Sequence, residues 1–256
     1  PSLANGPSAS LPRVYDLALE IISHSDGRID MESLSGFIKA YQSVTPLQLG
    51  ELWVIHIMLR LALLENLRRV SVRIAIDRIN QNLADYWARQ MMETVEKDAK
   101  SLILVVADMA RSNPPMESSF VAELTRQLLW KGPSLSLPLT WMEQLLSENG
   151  LTSNELVFAE NQKQAADQVS VSNSIGSLRF LGATDWAEFV EDHSIVEQTL
   201  KQQADRIYTS MDFATRDNYR HAIEKISKHS QYSEKEITDI VIKLARDNAV
   251  NTAGND

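Results

Sequence analysis

Residues 211–226 (MDFATRDNYRHAIEKI) bring together side chains that could bind an anion. Arg216 and Arg220 are four residues apart and therefore share one face of a helix, with Tyr219 beside them. A guanidinium group binds a carboxylate or a phosphate through two parallel hydrogen bonds, and this face could also grip the edge of a sugar. The same spacing fits an internal seam of salt bridges, which we favour over a ligand site. Asp212 is expected to cap the helix.

Residues 51–69 (ELWVIHIMLRLALLENLRR) form a strongly apolar helical pattern that is interrupted by polar side chains, among them Arg60, Glu65 and Asn66. A buried charge needs a partner. We therefore expect Arg60 and Glu65 to pair with each other or with a group on another helix. A buried polar network that fixes the register of the helices is favoured over a ligand site.

The motifs of the common catalytic sites are absent from the sequence. There is no cysteine, no glycine-rich phosphate loop, no G-x-S-x-G, no H-E-x-x-H and no D-x-D. Asp26 and Asp30 are better explained by a turn and a helix cap than by a cation site. Glu188, Glu191 and Asp192 are expected to form a solvated helix face. The sequence thus predicts no catalytic residue, no metal site and no cofactor.

Helices must position these side chains, because strand and turn signals are scarce. The chain has 9 Gly and 8 Pro, and neither occurs between Glu51 and Pro114. So long an uninterrupted stretch predicts a very long helix, with a break expected near residues 97–101, where polarity rises. Residues 102–106 could be a short strand, but no partner strand is evident, which favours a buried helix. Residues 167–183 are ambiguous, because β-branched and serine residues there still show helical spacing.

Helix starts are marked by capping residues. Thr45 is predicted to be an N-cap, with Pro46 in the first helical position and Gln48 reaching back to it. Four further starts are predicted at Asp30, at Thr152 with Glu155, at Asp185, and at Ser233 with Glu236.

The predicted fold is all-α, a multi-helix bundle with one or two very long helices. A single helical domain is expected over residues 12–248, with any sub-boundary near 131–137, a flexible lead-in over 1–11 and a flexible tail over 249–256. The net charge of −9 argues against nucleic-acid binding. The most apolar run, residues 52–64, is too short for a membrane span, which needs about 20 residues. Because the chain starts at Pro1, we expect it to be part of a longer protein.

Four segments resemble the N-terminal cytoplasmic region of cyclic β-1,2-glucan synthases. They are residues 12–30 (PRVYDLALEIISHSDGRID), 45–69, 159–179 (AENQKQAADQVSVSNSIGSLR) with Asp185-Trp186, and 211–226. The resemblance keeps this order along the whole chain, and residues 70–130 are its least recognisable part.

The resemblance implies a very large inner-membrane protein of Gram-negative bacteria, in which a membrane-embedded glycosyltransferase polymerises glucose from UDP-glucose. The region matched here precedes the transferase, and no catalytic residue of the family carries over to this chain. The implied function is a non-catalytic accessory domain on the cytoplasmic face of the inner membrane. Its expected partners are other domains of the same polypeptide, including the glycosyltransferase region.

Two other functions stay open. The chain could be a glucan-binding or protein-interaction helical module. In the glucan-binding case a groove lined by tryptophan would hold nascent glucan, and the candidates are Trp53, Trp87, Trp130, Trp141 and Trp186. It could instead carry the starting point of the glucan on an exposed tyrosine such as Tyr219 or Tyr208, or act as an enzyme by itself.

Overall fold

The structure is a computed structural model that describes residues 11–203 and 206–253, with side chains over 11–203 and 207–248. These residues form α-helices and short 3-10 turns and no sheet, which confirms the all-α prediction. The helices are α1 (Arg13–His24), α2 (Met31–Gln42), α3 (Leu49–Lys97), α4 (Leu102–Arg111), α5 (Ser118–Leu128), α6 (Ser136–Ser147), α7 (Ser153–Ala183), α8 (Trp186–His193), α9 (Ile195–Gln203), α10 (Arg206–Ser210), α11 (Phe213–Lys228) and α12 (Glu234–Ala253).

Helix α3, with 49 residues, is the predicted very long helix, and α7 is a second one of 31 residues. The predicted break after α3 is confirmed: Asp98 caps a short 3-10 turn over Ala99–Ser101, and α4 follows directly. Residues 102–106 are therefore helical. The ambiguous residues 167–183 belong to α7, whose length is explained by the absence of proline between its ends.

The predicted start of α3 at Thr45 is wrong. The helix begins at Leu49, and the Glu51 carboxylate accepts a hydrogen bond from the Gln48 N–H at 2.9 Å. Arg13 explains the shift, because its guanidinium group binds both sides of the helix start. Its Nη2 donates to the Pro46 carbonyl oxygen at 2.7 Å, and its Nε donates to Glu51 Oε1 at 2.7 Å. The segment before α3 is thereby held against α1.

The other predicted caps are confirmed. Asp30 accepts from the Ser33 N–H at 2.9 Å, and Asp185 accepts from the Ala187 N–H at 2.9 Å. Capping boxes form between Thr152 and Glu155 and between Ser233 and Glu236, each with a reciprocal pair of bonds.

The chain divides into two compact units: Pro1–Asn66 with Asn173–Asp256, and Leu67–Ser172. Residues 131–137, where the sequence suggested a sub-boundary, lie within the second unit, and the single domain over 12–248 stays a prediction. Of the predicted lead-in, residues 1–10 lie outside the described residues. Of the predicted tail, 254–256 also lie outside them, and the backbone of 249–253 ends α12.

The first unit has two clusters of buried apolar side chains. One joins α1, α2, the start of α3, the end of α7 and α8, and includes Val14, Ile38, Leu59 and Leu181. The other joins α9 to α12 around Leu200, Tyr208, Ile223 and Ile242. The core of the second unit comes from α3 to α6, where Met91, Met109, Phe120 and Met142 are buried. None of the described helices combines the length and the apolar character that a membrane span requires.

Candidate functional site

Arg216 and Arg220 lie inside the first unit and contact charged groups of two other helices. Glu191 comes from α8 and Glu197 from α9, and Lys201 lies one turn further along α9. We call these five side chains the ion cluster.

Arg220 is at the centre of the ion cluster, and its side chain is fully buried. Its Nη1 donates to Glu191 Oε1 at 3.0 Å and to Glu197 Oε2 at 2.6 Å. Its Nε and Nη2 donate to Asp217 Oδ1 at 3.2 and 2.9 Å, and its Cζ lies 4.9 Å from the ring centroid of Phe213. Burial alone would lower the pKa of Arg220, but the hydrogen bonds to carboxylates outweigh it, so the pKa is raised.

Arg216 binds both oxygens of Glu191. Its Nη2 donates to Oε1 and to Oε2 at 2.8 Å each. Burial alone would raise the pKa of Glu191, but the hydrogen bonds from Arg216 and Arg220 outweigh burial and hold this pKa below its usual value. Glu191 is therefore a charged anchor for α11, with a side chain only 12% exposed.

The charges of the ion cluster and the neighbouring Asp217 cancel. The three cations are Arg216, Arg220 and Lys201, and the three carboxylates are Glu191, Glu197 and Asp217. Glu197 is fully buried, and its Oε1 lies 3.2 Å from Lys201 Nζ and 3.5 Å from Arg216 Nε, although outside hydrogen-bond geometry. The arginine face predicted from the sequence is thus an internal seam of salt bridges.

The other residues singled out around α11 have separate positions. Asp212 caps α11 by accepting from the Thr215 N–H at 2.7 Å. Tyr219 is half-exposed, and its ring packs edge-on against that of Tyr208. The expectation that Tyr208 is exposed is wrong, because the residue is buried and its hydroxyl donates to Glu197 Oε2 at 2.7 Å. Burial raises the pKa of this hydroxyl, and the hydrogen bond to Glu197 raises it further. The hydroxyl is therefore poorly suited to act as a nucleophile.

Sequence reasoning missed part of the ion cluster. Glu191 was expected on a solvated face with Glu188 and Asp192, which is wrong for Glu191 although the other two are exposed. Glu197 and Lys201 were not singled out, and their spacing of four residues was the available signal. Only contacts with α11 distinguish this pair from an ordinary surface pair.

The polar residues of α3 contact α7. Arg60 Nη2 donates to the carbonyl oxygen of Leu181 at 2.8 Å, near the end of α7, where helix carbonyls lack partners. This contact matches the expectation of a partner on another helix. Asn66 is buried and its Nδ2 donates to Ser174 Oγ at 3.1 Å, while Glu65 is half-buried and also engaged.

In the second unit, the buried Asp77 and the half-exposed Arg73 of α3 also pair with α7. Lys163 Nζ lies 2.5 Å from Asp77 Oδ1, and Arg73 binds Asp167 through two nitrogens. These ion pairs hold the α3–α7 contact in one register.

The start of α3 brings three carboxylates close together. Glu234, from the start of α12, accepts the Leu49 N–H at 3.0 Å, so that one helix caps another. Burial, and next the proximity of Glu224 and Glu51, raises the pKa of Glu234. The cap is therefore made by a carboxylate that resists ionisation.

The opposite pKa shifts of Glu191 and Glu234 predict opposite mutational effects. The lowered pKa of Glu191 means that its stabilisation is present above the unfolded-state pKa of about 4.3 and is lost as the pH falls through the folded-state value. The raised pKa of Glu234 means that its ionisation weakens the fold as the pH rises. We expect Glu191→Gln to cost about 2 kcal/mol in unfolding free energy at pH 7, and Glu234→Gln to cost nothing or to stabilise.

Urea unfolding of both variants between about pH 7 and about pH 2 measures this. The loss of stability caused by Glu191→Gln should stay nearly constant down to about pH 4.3 and shrink below it. An equal loss in both variants at pH 7 would contradict the assignment.

Neither a metal site nor a tryptophan-lined groove is evident among the described residues. No group of three or more His, Asp or Glu side chains among them is arranged so that it could hold a metal ion. Trp53 and Trp186 pack against the core of the first unit, and Trp87 and Trp141 against the core of the second. Trp130 is 93% exposed and stands apart from these cores.

No protein-family profile matches the chain. It is 30% identical over 237 residues to the cyclic beta-(1,2)-glucan synthase NdvB of Rhizobium meliloti (strain 1021). This match covers 93% of the chain but only 8% of the relative. The resemblance seen in the sequence is thereby confirmed, and the chain is related, over nearly its whole length, to one segment of a cyclic β-1,2-glucan synthase.

Proposed function

We propose that the chain is a non-catalytic helical accessory domain of a cyclic β-1,2-glucan synthase. In this proposal it positions or regulates the membrane glucosyltransferase, which uses UDP-glucose, from the cytoplasmic face of the inner membrane. Its partners are other domains of the same polypeptide, and it needs no cofactor.

The pairing of the ion cluster is the main support for this proposal. Arg216 and Arg220 are the groups best suited to bind a nucleotide phosphate, and carboxylates of the same unit neutralise both. A phosphate bound by these two arginines would have to displace the carboxylate of Glu191 or Glu197 from a buried site. This displacement would leave charged groups without a partner. These observations support a structural role for both arginines, which hold α11 against α8 and α9.

Deleting the part of the whole synthase that corresponds to this chain should abolish most glucan synthesis. Membranes with the shortened protein are expected to convert UDP-glucose to glucan at least tenfold more slowly, since a catalytic domain that has lost its positioning partner loses its productive geometry. The isolated chain should release no UDP from UDP-glucose. Radiolabelled UDP-glucose measures both, with the amount of synthase in the membrane as the control.

Two results would overturn the proposal. Unchanged synthesis by the shortened synthase would exclude a positioning role, and UDP release by the isolated chain would show catalysis. Calorimetric binding of β-1,2-glucan oligomers to the isolated chain, lost in Trp130→Ala, would instead favour the glucan-binding alternative that this exposed indole leaves open.

A further inference from the structure

An apolar groove opens in the first unit among α9, α10, α11 and α12. Its volume is about 790 Å³, within the range of about 300–1,000 Å³ typical of small-molecule sites. Ile223 and Ile242 form its buried floor, while Ile207 and Ile226 stand at its sides, 67% and 51% exposed. Exposed isoleucines around a concave apolar surface indicate an occupant that removes them from water.

The groove carries one charged side chain among its described lining residues. This is Arg246, on α12. Its Nη2 donates to the Gln203 carbonyl oxygen at 2.6 Å, which uses one of the five N–H donors of a guanidinium group. The contact fixes the cation at the edge of a cavity whose other described lining residues are uncharged and mostly apolar, in a chain whose net charge is −9.

The lining therefore fits a ligand with two parts. Methyl-bearing side chains without charge favour an alkyl chain, whose burial removes apolar surface from water. A single guanidinium at the edge favours a terminal carboxylate, because charge-assisted hydrogen bonds to arginine are strong and directional. Two alanines, Ala222 and Ala245, leave the space that such a chain needs.

We propose that this groove binds a single-chain anionic amphiphile, such as a fatty acid. The alkyl chain lies between α11 and α12, and the carboxylate meets Arg246. The site is separate from the ion cluster, although Tyr208 touches both, with its ring lining the groove and its hydroxyl bound to Glu197.

Calorimetry of the complete 256-residue chain with laurate, below the micelle concentration, tests the proposal. Laurate should bind saturably and at least tenfold more tightly than dodecanol or dodecyltrimethylammonium, which have an alkyl chain of similar length but no negative charge. Arg246→Gln should weaken laurate binding at least tenfold without changing that of dodecanol. Ala222→Trp should abolish binding of all three by filling the groove.

Matched controls lie outside the groove. Arg111→Gln removes an exposed arginine and Ala75→Trp adds an indole to an exposed position of α3, and neither should change laurate binding. Circular dichroism checks that every variant keeps its helix content. The proposal is overturned by an absence of saturable binding, by equal affinity for the three amphiphiles, or by an unaffected Arg246→Gln variant. Dimerisation that Ala222→Trp abolishes, or binding to phosphatidylglycerol vesicles but not to free laurate, would also overturn it.

Discussion

Replacing Arg220 with methionine should lower the unfolding free energy of the chain by about 3–5 kcal/mol. The guanidinium group is fully buried and contacts three carboxylates, so its loss leaves Glu191, Glu197 and Asp217 with an excess of negative charge away from water. Methionine keeps the apolar part of the side chain, and the loss therefore reports the charge and its hydrogen bonds. Urea unfolding at pH 7 measures it.

Two comparisons make this result specific. Arg111→Met removes an arginine whose ion pair with Asp108 is exposed, and it should change stability by less than about 0.5 kcal/mol. Arg220→Lys keeps the charge but loses the planar guanidinium that binds several carboxylates at once. Its loss of unfolding free energy should therefore lie between those of Arg220→Met and Arg111→Met. If Arg220→Met were as mild as Arg111→Met, the ion cluster would not stabilise the fold.

Replacing Gly27 with alanine should cost about 2–4 kcal/mol in unfolding free energy. Gly27 has φ +76°, in the left-handed region, and an added Cβ would lie 2.6 Å from Ser174 Oγ and 3.4 Å from Asn66 Nδ2. Its carbonyl oxygen also accepts a hydrogen bond from Ser177 Oγ at 2.7 Å. The turn after α1 thus packs closely against α7. The methyl group of an alanine at position 27 must therefore displace either the turn or the side chain of Ser174.

Gly36 provides the matched control for this substitution. It lies within α2, where an added Cβ meets no atom within 4 Å. Gly36→Ala should therefore stabilise the chain by about 0.5–1 kcal/mol, because alanine is the better helix former. Urea unfolding of both variants should give effects of opposite sign, and a loss of similar size in both would contradict the fit of Gly27 against α7.

The sequence predicted those features that local chemistry determines. Asp30, Thr152 and Asp185 cap helices because a short polar side chain can bind the free N–H groups of a first turn wherever the rest of the protein lies. The length of α3 likewise follows from a stretch without proline or glycine. The all-α fold rests on the same local signals.

Features set by tertiary contacts could not be predicted in this way. The start of α3 moved to Leu49 because Arg13, 36 positions earlier in the chain, holds the preceding segment. Glu191 looks like a surface residue until Arg216 and Arg220 are placed against it. Helical spacing showed that these two arginines share a face, but it could not show whether that face meets solvent or carboxylates.

One comparison tests most directly whether these charged residues build a supporting domain or contact substrate. Glucan synthesis from UDP-glucose should be measured in membranes with the whole synthase carrying Arg220→Met, Arg220→Lys, Gly27→Ala or Gly36→Ala, beside the stability of each isolated chain. We expect activity to follow the folded fraction of the domain, so that Gly27→Ala, far from the arginines in sequence, reduces activity in proportion to its loss of stability. An Arg220→Lys variant that stays fully folded and yet abolishes synthesis would show instead that the guanidinium acts on the substrate.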